Sequence, residues 1–239
     1  MMDCEIVIRR ATPQDKAARA DLIQRSITGY DSDAIIFFIL QELMLQLSVL
    51  AGAVLFIFAG ASLTLCALVP FALAAAAALC VLAAHRAIAH SQAARLRREM
   101  VGFVAEYRGP LGGDSRVLSH RIVTSPSDDV TRGPRHSRVV GTLSVGDFHG
   151  ARHSGWLYGF AVDAPWQRRG VGSALLTAAR AWAGEQRLES LEAAASTLQT
   201  KARTLLHSNG WELRGTYHRP LLGAALTLPM LQMGLDLQT

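Results

Sequence analysis

Between Leu43 and Ala84 the chain carries no charged side chain. A helix needs about 20 apolar residues to cross the hydrocarbon layer of a bilayer, so a stretch this long holds two crossings and a tight turn. Gly60-Ala61-Ser62 is the natural break. Pro70 then falls inside the second helix, where Ser and Thr side chains can help satisfy the carbonyl it frees. A soluble helical hairpin would need a polar face for water, and this one has none. The stretch also starts too late and runs too long to be the apolar region of a cleavable leader. The reading is a two-pass membrane hairpin over 34–84, set between 1–33 and 85–239.

Basic residues flank the hairpin on both sides: Arg9, Arg10, Lys16, Arg19 and Arg25 before it, and Arg86, Arg95, Arg97 and Arg98 after it. Both flanks are therefore expected to face the cytoplasm, termini included. The formal charge of +5 suits a protein held against anionic lipid. A nucleic-acid partner is disfavoured, because the basic residues are not interleaved with an aromatic platform. Cys4, Cys66 and Cys80 have no metal-ligand spacing and read as small hydrophobes and one stray thiol in a reducing compartment.

The second constraint lies at Val162 to Leu176. An apolar run from Trp156 to Val162 leads into a Pro-containing turn, and Gly170 and Gly172 then open a stretch with helical periodicity. A strand, a glycine loop and a helix N-terminus together gather unpaired backbone N–H groups at the positive end of a helix dipole, a receptacle for phosphate. The glycines remove side chains where an anion must approach, and Arg168 and Arg169 add positive charge. The dinucleotide fingerprint fails because Leu175 stands where it needs a small residue, and no Gly-Lys-Ser/Thr triplet completes a nucleotide P-loop.

The pattern Gln167-Arg168-Arg169-Gly170-Val171-Gly172, preceded by Val-Asp-x-Pro, resembles the acetyl-CoA pyrophosphate loop of the GCN5-related N-acetyltransferases. The opening agrees: Glu5 to Arg9 reads as a strand, and Thr12-Pro13-Gln14-Asp15 supplies a cap, a Pro and an acid for a helix from Pro13 to about Ile27. That strand, turn and helix is similar to the start of the same fold. If Ile6 to Ile8 must pair with strands formed after residue 110, the tract interrupts the domain and must cross the membrane an even number of times.

The rest of the chain divides by periodicity. A helix is expected to run on from the second crossing to about Tyr107, with Leu96, Met100, Phe103 and Val104 on one side. Residues 108–137 read as loop with one strand at Ser119 to Thr124. Arg138 to Phe148 and Trp156 to Asp163 read as antiparallel strands. His149 and His153 at their turn lack a Cys or carboxylate partner, so no metal site is expected. Val171, Ala174, Leu175, Ala178 and Trp182 form one core-facing helical stripe. A strand over Leu188 to Ala195, a helix over Leu198 to Ser208, and strands over Trp211 to Tyr217 and Leu228 to Leu237 complete the chain.

The whole layout resembles the camello-like membrane N-acetyltransferases, the group that contains N-acetylaspartate synthetase and endoplasmic reticulum enzymes acetylating cysteine conjugates or protein lysines. The resemblance implies an α/β (α+β) fold, a mixed, mostly antiparallel sheet flanked by helices, with the acetyl-CoA-binding core at 138–217. It implies an endomembrane location, membrane lipid as a partner, acetyl-CoA as cosubstrate without a metal, and an amine acceptor, either a small molecule or a protein lysine. Gln167, Arg168, Arg169, Gly170, Val171, Gly172 and Ser173 would bind the pyrophosphate. The backbone at Phe160, Ala161 and Val162 would pair with the pantetheine arm and polarise the thioester carbonyl.

The amine would attack directly, so the enzyme need only move protons. Glu192 is the candidate base, with Glu189 a poorer one because alternation turns the two to different faces. For the acid, the Tyr position of the family is Leu206 here, leaving Tyr217, His207 and His218 as substitutes. A second reading is a catalytically weak acyl-CoA-binding membrane adaptor or sensor. The acceptor pocket is expected from 24–33, 108–137 and 212–225.

Overall fold

The computed structural model describes residues 4–109, 120–124, 136–149, 153–222 and 226–237. Eight strands form one sheet: β1 Cys4–Arg10, β2 Val101–Gly109, β3 His120–Val123, β4 His136–His149, β5 His153–Val162, β6 Ser190–Ser196, β7 Glu212–Leu222 and β8 Leu226–Asp236. Their order is β3-β1-β2-β4-β5-β6-β8-β7. All neighbours are antiparallel except β1 with β3 and β5 with β6. This is the mixed, mostly antiparallel sheet flanked by helices that the resemblance implied.

Among the described residues six α-helices accompany it: α1 Lys16–Thr28, α2 Asp31–Ile39, α3 Glu42–Ala59, α4 Leu63–Arg95, α5 Val171–Glu185 and α6 Thr200–Ser208. On one face of the sheet, Val171, Leu175 and Trp182 of α5 pack on Leu143, Val145, Leu157 and Leu191, while Ala174 and Ala178 are partly buried beside them. Leu175 and Leu191 have no exposed surface, and each such burial contributes about 2 kcal/mol.

On the other face, Leu22 and Ile23 of α1 meet Leu96 and Ala161. Arg19, 1% exposed, crosses this layer. Its guanidinium donates to both Glu99 oxygens at 2.6 and 2.7 Å, to Thr142 Oγ1 at 2.9 Å and to Ser144 Oγ at 2.9 Å. A buried cation is tolerable only with such partners. Gly102 makes room for it, since a Cβ there would lie 2.5 Å from Arg19 Nη2.

Two expectations are corrected. The helix read through to Tyr107 ends at Arg95, turns through a 3-10 segment at Leu96–Arg98, and gives way to β2. β2 is a central strand, paired with β1 and β4 along its length, and those ladders outweigh the helical spacing of its apolar residues. Residues 34–39 are not the start of a crossing. They belong to α2, which buries Ala34 and Phe38 completely against Val81. The strand expected at Ser119 to Thr124 is β3, while the loop read around it over 108–137 gives its ends to β2 and β4 and otherwise lies outside the described residues.

α3 ends at Gly60, left-handed at φ 60°, and α4 begins after the cap of Ser62. Both are long and apolar enough to cross a membrane. Their apolar side chains face outward, as with Val49 at 74%, Phe58 at 82% and Phe71 at 73% exposure. Because β1 lies in the same sheet as the strands that follow α4, the chain enters and leaves the α3–α4 hairpin on the side of the sheet. At 33 residues α4 is about 50 Å long, well beyond one hydrocarbon layer. Its second half instead buries Ala77, Val81, His85 and Ala89.

Candidate active site

β5 and β6 pair from Ser154↔Ser190 to Leu157↔Ala193 and then part, although β5 continues to Val162 and β6 to Ser196. At the same point β5 bulges against β4, with Leu143 facing both Gly159 and Phe160. Gly159 takes φ 59°, a conformation that favours glycine. A bulge leaves one residue outside the ladder and frees its backbone groups for a ligand. The splay thus opens the sheet where β5 has donors to spare.

Two adjoining cavities lie there. The first, about 360 Å³, is lined by Phe160, Ala161, Val162, Gln167, Arg168, Gly170, Gly172 and Ser173, with Lys201 and Thr204 from α6. The second, about 430 Å³, is lined by Leu157 to Phe160 and Ala193 to Ser196 from the two parted strands, by α1, by the second half of α4, and by Tyr217 and Arg219 of β7. Ser26, Tyr30, Phe160 and Ala202 line both.

The first cavity is built on the glycine loop. Trp166 is buried and anchors the turn, and Gln167 Nε2 donates to the Val162 carbonyl at 3.0 Å. Arg168 and Gly170 both have positive φ, 61° and 81°. The first α5 bond runs from the Ala174 N–H to the Gly170 carbonyl at 2.9 Å, so the N–H groups of Val171, Gly172 and Ser173 precede the helical ladder. Gly172 sits close under α6, since a Cβ there would lie 2.8 Å from Leu205 Cδ2. Main-chain donors, a helix N-terminus, Arg168 and Lys201 are groups suited to an anion such as a pyrophosphate.

Of the ten residues expected to hold the cofactor, eight line this cavity: Phe160, Ala161, Val162, Gln167, Arg168, Gly170, Gly172 and Ser173. Val171 and Arg169 do not. The Val171 side chain is core, at 1% exposure, which leaves only its backbone for the site, and the Arg169 guanidinium lies 5.3 Å from the Trp166 ring centre.

Glu192 lines neither cavity. It is buried over β8, where its carboxylate accepts from Gln232 Nε2 at 3.4 Å and from Ser190 Oγ at 3.5 Å, and a Cβ on Gly234 would meet it at 2.8 Å. Glu189 is exposed and precedes β6. Leu206 is buried in the wall of the second cavity. Tyr217 lines that cavity, whereas His207 and His218 line neither. Among the described residues no cluster of three or more His, Cys, Asp or Glu side chains could hold a metal.

The second cavity contains polar groups that no motif announces. Tyr158 donates to the Arg95 carbonyl at 3.3 Å, and burial, with Glu99 adding, pushes its hydroxyl up to about 12. Burial, with Asp33 adding, also raises Tyr30. Both phenols therefore stay protonated at neutral pH. His85 also faces this space, paired with Asp31. These residues come from distant elements, so spacing along the chain carries no signal for them.

Residues 118–211 match the model of the acetyltransferase (GNAT) family. No curated protein matches the chain. Among solved structures, yncA from Salmonella typhimurium with its cofactor acetyl-CoA is 15% identical, covering 98% of this chain and 95% of its own, with a TM-score of 0.49. Ribosomal-protein-alanine N-acetyltransferase from Brucella melitensis is 18% identical over 97% of this chain and 99% of its own, also at 0.49. The GNAT-family acetyltransferase of Streptococcus pneumoniae is 16% identical over 98% and 99%, again at 0.49. The stretch that matches, 118–211, runs from ahead of β3 to the residue before β7 and is similar to the acetyltransferase (GNAT) family, and the mixed sheet around it is the one expected of that fold.

Proposed function

We propose that the chain is an acetyl-CoA-dependent N-acetyltransferase of the camello-like, membrane-anchored kind. The observation that carries this reading is the junction of the two cavities at the β5–β6 splay. The first has the donors for a pyrophosphate, and the second is an adjoining space for an acceptor. Acetyl-CoA supplies an activated acyl thioester. The amides at the start of α5, with Arg168 and Lys201, would hold its phosphates, and the bulged backbone at Gly159 and Phe160 would orient the carbonyl. The acceptor amine then forms the C–N bond as the C–S bond breaks, in one ternary complex without an enzyme nucleophile.

Anchoring follows from α3 and α4, with both flanks on the cytoplasmic face of an endomembrane. β1 in the catalytic sheet supports an even number of crossings. Tags placed before Asp3 and after Thr239 should then share protease accessibility in sealed microsomes. Digestion of only one would refute the hairpin.

The adaptor reading is favoured by one observation, the apolar Leu206 where the resemblance calls for a Tyr. Turnover separates the two. Full-length protein in nanodiscs is expected to bind acetyl-CoA and to release CoA with at least one amine of a panel spanning amino acids, cysteine conjugates, polyamines and lysine peptides. Binding without release from any of them would establish the adaptor.

A further inference from the structure

The acceptor cavity has one wall that the sheet does not supply. Beyond its exposed apolar half, α4 turns His85, Ile88, Gln92 and Arg95 toward the cavity, the i, i+3, i+7 and i+10 positions of one helical face. His85 is 6% exposed, and its Nδ1 lies 2.5 Å from Asp31 Oδ1 at the start of α2. An ionised carboxylate can only accept, so Nδ1 directs an N–H at Asp31, and in the neutral imidazole the lone pair is then on Nε2. Among the described residues Nε2 makes no hydrogen bond. One and a half to two turns further along, Gln92 Oε1 is buried without a partner and lines the same cavity. An orphaned buried carbonyl is costly unless a ligand N–H fills it.

We propose that His85, oriented by Asp31, is the base that deprotonates the acceptor ammonium, with Gln92 holding the amine. The inserted hairpin would thus supply a catalytic residue as well as an anchor. The inference rests on the acetyltransferase reading. The nitrogen gives up two protons in all. The first passes to His85 Nε2 before attack, leaving an imidazolium paired with Asp31, and then to solvent. The second leaves as the C–N bond forms and the C–S bond breaks, and it ends on the departing thiolate as free thiol. Glu192, outside both cavities, takes no part.

Among the described residues, the other titratable or charged groups lining this cavity are Tyr30, Arg95 of α4, Tyr158 of β5, and Tyr217 and Arg219 of β7. None of them is a carboxylate or a second imidazole. A substitution at His85 should therefore alter the pH–rate profile.

The test uses the full chain in nanodiscs and the amine that turns over best. His85→Asn keeps a donor at the Nδ1 position for Asp31 while deleting Nε2. It should leave the acetyl-CoA Kd and the melting temperature unchanged, lower kcat/KM about 100-fold or more, and flatten the acidic limb. Asp31→Asn, at the positioning residue, should lower kcat and shift that limb, and its ¹⁵N-histidine spectrum should lose the Nδ1–H tautomer seen in the parent protein. A His85→Asn enzyme with full turnover and the parental pH profile would overturn this assignment while leaving the acetyltransferase intact. A parent protein that binds acetyl-CoA yet acetylates no amine would overturn both.

Discussion

The loop at the start of α5 and the acceptor cavity adjoin, yet they are made in opposite ways. The loop is one continuous strand, turn and helix, and most of its donors are main-chain N–H groups whose direction is fixed by local backbone conformation. The second cavity draws on α1, α4, β4, β5, α5, β6, α6, β7 and β8, from Ile23 to Met230, and its polar groups are side chains. On the proposed function, recognition of a common phosphate would be written in six residues, whereas acceptor chemistry would depend on how distant elements pack.

The strongest way to break this contrast is to loosen the packing. Arg19→Met removes the cation that ties α1 to β4 and to Glu99, leaving that carboxylate, 15% exposed, without its partner. A loss of about 3–5 kcal/mol is expected, a fall in Tm of roughly 10 °C. Below the new Tm, acetyl-CoA affinity should change little, because the loop is held by its own turn and by Trp166. Thermal melting and isothermal titration would check both, and a large loss of affinity would show that the loop is less self-contained than argued.

Ser173→Glu probes the other side. An acid in the first turn favours the α5 helix, so the fold is kept, but its carboxylate would occupy the place of the phosphate. Acetyl-CoA Kd should rise at least about 100-fold, near 2.7 kcal/mol, with the melting temperature unchanged. This is a cleaner variant than Gly170→Glu or Gly172→Glu. Gly170 needs its positive φ, and a side chain at 172 would have to displace the end of Leu205. Unaltered affinity would remove the anion site from this loop.

The same division explains what could be read before the fold was known. The loop and the α5 stripe were legible because periodicity and glycine placement are local properties. β2 was not. Leu96, Met100, Phe103 and Val104 recur at helical spacing, and only the ladders to β1 and β4, one of them formed with residues nearly 100 positions earlier, select the strand. α2 was absorbed into the apolar tract because burial of Phe38 against Val81 is invisible to hydropathy. The pairing of His85 with Asp31, 54 positions apart, leaves no trace in spacing at all.

A smaller effect sharpens the contrast from within the cavity. Ala194 lies on β6 just past its last pairing with β5 and lines the acceptor space. Ala194→Leu adds three carbons there without touching the loop. Acceptor KM should rise by about tenfold, near 1.4 kcal/mol, while acetyl-CoA Kd stays constant. Steady-state kinetics with each substrate varied in turn would test this. A rise in the acetyl-CoA KM instead would mean that the two cavities are not assigned to separate substrates.

The smallest effect is common to both sites and is seen only in acid. Arg9 of β1 donates to both Asp15 oxygens at 2.7 and 2.9 Å and to Glu106 of β2 at 2.6 Å, and Arg108 and Ser137 also donate to Glu106. The hydrogen bond from Arg9 holds Asp15 down at about 2, against an ordinary 3.8. For Glu106, burial works upward, but the bonds from Arg9, Ser137 and Arg108 prevail and hold it at about 2, against 4.5. Both folded values lie below the unfolded ones, so their stabilisation is fully present above about pH 4.5 and is lost as pH falls toward 2. Partial exposure of Arg9, whose side chain is 28% accessible, keeps the contribution modest. Melting temperature should therefore be flat with respect to this cluster from pH 8 to 5 and decline below 4.5, and Arg9→Met should shallow that decline by returning both carboxylates toward ordinary values. The cluster touches neither cavity, so at pH 4 acetyl-CoA binding and acceptor binding should weaken together only as the folded fraction falls. An acid decline as steep in Arg9→Met as in the parent would assign the loss to other carboxylates.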